Sequence, residues 1–111
     1  MEKLDGLWIV EFESTIGMFG KGVMVLNGDR ILGGDVGYYY SGKCTIQGGK
    51  IKAEVDVIRF DADSVSIFGD IESFTLVLDG TITGVDFQAR ATSDSSPNIE
   101  MVVKGNKVED W

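Results

Sequence analysis

Residues 26–42, LNGDRILGGDVGYYYSG, decide the fold. They hold Asn27-Gly28 between short apolar runs, then Gly33-Gly34-Asp35, then three consecutive tyrosines, Tyr38, Tyr39 and Tyr40. Asn-Gly between apolar runs is the strongest short-range hairpin signal, because both residues tolerate the positive φ that a type I′ turn requires. Residues 22–26 and 30–32 are therefore expected to pair antiparallel. The chain then bends at Gly33-Gly34 and leaves along the tyrosines. On a strand, Tyr38 and Tyr40 share one face and Tyr39 takes the other. Tyr38 and Tyr39 are candidate interface residues, since exposed aromatics are enriched at protein interfaces; cross-strand packing is the plainer role.

On the N-terminal side, residues 4–15 alternate, with Trp8, Val10 and Phe12 on one face and Ile9, Glu11 and Glu13 on the other. This is a half-buried strand of period two. Residues 16–21 form a glycine-punctuated connection. On the C-terminal side, residues 40–47 run into Gly48-Gly49, a second two-residue hairpin signal. Residues 50–60 alternate most clearly, with Ile51, Ala53, Val55 and Val57 opposite Lys50, Lys52, Glu54 and Asp56. One face is wet and one dry, as in an antiparallel sheet or barrel wall.

Residues 61–70 are less regular and are expected to hold a short helical turn capped by Asp61 or Asp63. Residues 71–78 form another strand, and Asp79-Gly80 a third tight turn. Residues 81–92 place Val85, Phe87, Ala89 and Ala91 inward. Residues 93–98 are a polar loop, and residues 99–104 a last strand with Ile99, Met101 and Val103 inward. Residues 105–111 are a charged tail. About eight strands joined by tight turns, with no crossover helix, make an up-and-down meander; closing it removes the exposed edges. A barrel of that size is filled by side chains or holds one small ligand. Trp8, Phe12, Val55, Phe87 and Met101 are the candidate interior ligand-lining residues.

The 111 residues suit a single domain with one core. Eighteen acids against 10 bases give a net charge of −8, which repels a phosphate backbone, so direct nucleic-acid binding is disfavoured. An acidic surface aids solubility and can steer a basic partner. The single cysteine, Cys44, has no internal disulfide partner and suits a reducing compartment. No basic-then-apolar leader opens the chain, and no apolar run approaches the ~20 residues of a membrane helix. A soluble cytoplasmic protein is expected, with no membrane partner.

The chain contains no histidine, which removes Ser-His-Asp and Cys-His nucleophiles and histidine-based zinc sites. Asp61, Asp63 and Glu72 mimic three positions of a calcium loop, but Val65 and Ser66 stand where a further ligand and the glycine are needed. Gly17, Gly20 and Gly22 lack the Gly-Lys-Ser/Thr of a phosphate loop. No catalytic residue, cofactor or metal is assigned, and a non-enzymatic protein is expected. Asp35 is best read as capping its own bend, as Asp does in turns.

Asp5-Gly6-Leu7-Trp8 with Phe12, Gly20-Lys21-Gly22-Val23, and above all the string NG-x₄-GGD-x₄-Y-x-G from Asn27 to Gly42 resemble the GrlR family, negative regulators of type III secretion gene expression. The likeness covers roughly the first 42 residues. Its motif residues Gly33, Gly34, Asp35, Tyr40 and Gly42 are read as structural. The resemblance implies a small lipocalin-like antiparallel β-barrel, usually a homodimer, whose interior accommodates an apolar or lipid-like molecule. It also implies regulation by protein contact, through sequestering a transcriptional activator rather than touching DNA. The family's namesake carries an acidic run at the hairpin tip after Tyr-x-Gly, where this chain has Ile46-Gln47-Gly48-Gly49. Two readings follow: a regulatory barrel acting on a protein partner, or a carrier or sensor of a small apolar ligand.

Overall fold

Eight antiparallel strands follow one another around a closed barrel in a computed structural model that describes residues 4–17, 19–66 and 71–111. The strands are β1 (Gly6–Ser14), β2 (Phe19–Asn27), β3 (Arg30–Gly34), β4 (Tyr38–Gln47), β5 (Lys50–Arg59), β6 (Ser73–Ile82), β7 (Asp86–Ser93) and β8 (Ser96–Asp110). Each pairs with the next, and β8 returns to β1. The fold is the all-β, up-and-down barrel that the turn spacing implies. Period-two patterning puts Trp8, Val10, Ile51, Val55, Phe87 and Val103 inside, and closure leaves no free edge among the described strands.

The turns fall partly where the dipeptides place them. At β2–β3, Asn27 pairs with Arg30, so the two-residue loop is Gly28-Asp29 rather than Asn27-Gly28. Only Gly28 has positive φ, at 62°, which fits a type II′ loop with glycine first rather than type I′. The I′ pattern belongs instead to Gly48-Gly49, with φ of 60° and 77°. Gly33 and Gly34 both lie within β3 with no positive φ, and the bend falls after them, at residues 35–37. Gly33 is needed for close approach: a Cβ there would stand 2.2 Å from the Val23 carbonyl oxygen.

Three further expectations are corrected. Asp79-Gly80 is no turn but the interior of β6, with Gly80 paired to Ala89; the turn comes at residues 83–85, leaving Val85 exposed. The polar loop shrinks to Asp94-Ser95, because β8 begins at Ser96. Residues 105–110 are not a tail: they pair with the first half of β1, from Gly105 opposite Val10 to Asp110 opposite Gly6. That pairing is offset by a bulge, with Leu7 opposite Glu109 and Trp8 opposite Lys107. The Lys107 ammonium lies 2.7 Å from the Asp110 carboxylate.

At one end of the barrel lie the β2–β3, β4–β5 and β6–β7 turns. At the other lie the β1–β2, β3–β4 and β7–β8 turns and the longer β5–β6 connection. In that connection Asp61 caps a turn without helix, its carboxylate accepting from the Asp63 backbone N–H at 3.1 Å; residues 67–70 lie outside the described residues.

Candidate functional site: the barrel interior

A cavity of about 320 Å³ occupies the barrel. Its walls come from inward positions of the strands: Phe12 on β1, Met24 on β2, Val55 on β5, Leu76 on β6, Phe87 and Ala89 on β7, Met101 on β8. Alternation turns these side chains inward, and the small ones, Ala53 and Ala89, leave space that larger residues would fill. The lining is overwhelmingly apolar. That is the make-up of a small-molecule pocket, and the volume lies at the lower end of the range for such sites.

Trp8, on the β2–β3 turn side of the barrel, is inward but does not line the void. It is fully buried, donates its indole N–H to the Leu4 carbonyl at 3.0 Å, and packs against Phe87 with ring centroids 5.5 Å apart. Phe12, Val55, Phe87 and Met101 line the cavity as the alternation predicts; Trp8 is the one candidate that does not. At the other end Phe19, Val36 and Val65 line the cavity and are also solvent-exposed, so the cavity reaches the surface there.

Asp35 sits at this mouth and organises it. One carboxylate oxygen accepts from the backbone N–H groups of Gly37 at 3.0 Å and Tyr38 at 2.9 Å. The other accepts from the Tyr40 hydroxyl at 2.5 Å. The capping role read for Asp35 is what the geometry gives, and the Tyr40 contact was not legible, because it runs between two elements. Burial chiefly, then the Asp35 hydrogen bond and charge, push the Tyr40 phenol far above its ordinary pKa, so it remains a neutral donor.

Tyr38 is buried, donating its hydroxyl to the Ile71 carbonyl at 2.7 Å, so it offers no outer surface. Tyr39 faces outward and is 44% exposed. Around it the register assembles an uncharged outer face. One row runs Ile9–Val23–Gly34–Tyr39–Ile58 across β1 to β5, and a second runs Leu7–Val25–Leu32–Ser41. Cys44 is buried in β4; burial first, then Asp29 and Asp5, push its thiol pKa up, which disfavours the reactive thiolate. No cluster of metal-ligating side chains occurs among the described residues.

The sequence marks Gly33 and Gly42 as structural, and the reason it does not show is close approach, which Gly22 shares. Gly42 stands against the Glu54 carbonyl and Val55, and the Cβ position of Gly22 would be 2.8 Å from the Tyr40 hydroxyl. The available signal was parity, since Gly22, Gly33 and Gly42 occupy inward positions of their strands. Comparisons with protein-family models and with curated proteins found no match to this chain.

Proposed function

We propose that this protein binds a small apolar molecule inside its barrel and acts as a carrier or sensor of it. The observation that carries this reading is the apolar cavity of about 320 Å³ with a mouth at one end. Taking a methylene as about the size of a water's ~30 Å³ share of the liquid, the space suits a chain of roughly ten carbons. Burying that many methylenes gives about 8 kcal/mol before association costs of at least about 4 kcal/mol. The net of at most about 4 kcal/mol corresponds to a Kd of about 1 mM or weaker for the plain chain.

The test uses the neutral fluorophore N-phenyl-1-naphthylamine. Saturable one-to-one binding with a blue shift is expected. Ala89→Leu, which puts a larger side chain into the void, should abolish it while circular dichroism stays unchanged. Failure of the probe to saturate, or equal binding by the filled variant, overturns the reading.

A second reading, regulation by protein contact as a homodimer, is favoured by the uncharged outer face on β1 to β4. Exposed Ile9, Val23, Leu32 and Tyr39 form an apolar patch of the kind that marks interaction surfaces. Copies each carrying −8 meet least repulsion through a surface without charge. The acidic remainder then stays free to steer a basic partner such as a DNA-binding activator. Sedimentation velocity checks the dimer: the wild-type protein should sediment as a dimer and Leu32→Glu as a folded monomer. A wild-type monomer at tens of micromolar rejects it.

A further inference from the structure

We propose that Asp35 makes the cavity mouth select ligands by the sign of their head group, admitting amphiphiles with a cationic or neutral head and rejecting carboxylates. This rests on the reading of the barrel interior as a ligand site and names the class of ligand.

Asp35 is the sole carboxylate among the described lining residues. Its position is fixed by three hydrogen bonds, from the Gly37 and Tyr38 backbone N–H groups and the Tyr40 hydroxyl, so the charge cannot swing away from the mouth. The three donors engage its acceptor oxygens and carry no formal charge. Below it the wall is hydrocarbon, where a charge interacts more strongly than in water.

Lys21 is the sole cation among the described lining residues; its ammonium lies 3.7 Å from the Glu11 carboxylate, and both side chains are more than half exposed. Arg59 donates to the Ser64 carbonyl at 3.2 Å and does not line the cavity. On the same connection Asp61 and Asp63 add further negative charge.

A ten-carbon amphiphile that lays its tail along Leu76, Phe87 and Ala89 brings its head to Asp35. An ammonium there gains an ion pair, and a hydroxyl can donate a hydrogen bond. A carboxylate meets a like charge, which costs more in a poorly hydrated mouth than in water.

The experiment is displacement of N-phenyl-1-naphthylamine at pH 8 by decylammonium, decanol and decanoate, which share one tail length. Decylammonium should displace the probe at a concentration at least tenfold below that of decanoate, with decanol on the decylammonium side. Asp35→Asn keeps an acceptor for the backbone donors and removes the charge, and it should shrink the decylammonium-to-decanoate preference to within about threefold. Tyr40→Phe keeps the charge and should retain the preference.

Decanoate competing as well as decylammonium in the wild-type protein overturns the selection, and so does a preference that survives Asp35→Asn. Should that variant not fold, the wild-type ranking of the two charged ligands decides alone. A probe that never binds rejects the ligand site itself, a different result from a probe displaced without regard to charge.

Discussion

Asp35 joins a turn to the interior. A carboxylate accepting two backbone N–H groups and a buried phenol does more for stability than an ordinary turn cap, because removing it strands the Tyr40 hydroxyl away from water. Asp35→Ala should lower stability by about 1–3 kcal/mol, a visible drop in melting temperature; an unchanged melt removes Asp35 from the structural account. The Tyr40 phenol carries a pH dependence of determinate sign. Its folded pKa is raised, so the folded state keeps a proton that the unfolded chain loses above about pH 10. That contribution is fully present below this pH and is lost as pH rises beyond it. Ultraviolet titration should show one phenol that ionises only as the fold is lost, and Tyr40→Phe should remove that delayed fraction.

Among the elements, glycines divide by mechanism. Gly48 has φ of 60° with nothing near its Cβ position, so Gly48→Ala costs only backbone strain, about 1–2 kcal/mol. At Gly80 an added Cβ would lie 2.0 Å from the Gln88 carbonyl oxygen, and the β6–β7 pairing would have to part. Gly80→Ala should therefore cost at least about 3 kcal/mol. Denaturant titration of the two variants orders them, and the reverse order rejects this division. The contrast explains why Asp79-Gly80 misleads as sequence. A dipeptide cannot reveal whether its glycine turns the chain or lets two strands close up. Alternation was far more readable: residues 50–57 and 87–91 declare their inward faces, because burial acts on every second side chain. For the same reason four of the five proposed lining residues line the cavity. Trp8 packs on Phe87 and bonds the Leu4 carbonyl, and parity along a strand does not tell whether an inward side chain borders open space or other side chains.

For the whole molecule, the last strand matters most. Residues 105–110 look like a tail, because Lys107, Glu109 and Asp110 hide a pairing made with the start of the chain, beyond the reach of any local pattern. Deleting residues 105–111 should open the barrel along the first half of β1, with loss of cooperative melting and of probe binding; a truncated protein that melts like the intact one refutes the closure. β1 and β8 also stand nearly the full length of the chain apart. Their pairing is the longest-range strand pairing among the described residues, with the loop-closure entropy that implies. On a ribosome β1 would emerge well before β8 and wait for that neighbour, its backbone groups on that side meanwhile open to other chains. Refolding should accordingly be slow, in milliseconds to seconds, as in other domains built from non-local strand pairs. A circular permutant that covalently joined residue 111 to residue 4 and opened the chain at Gly48-Gly49 would turn this slowest encounter into a local hairpin.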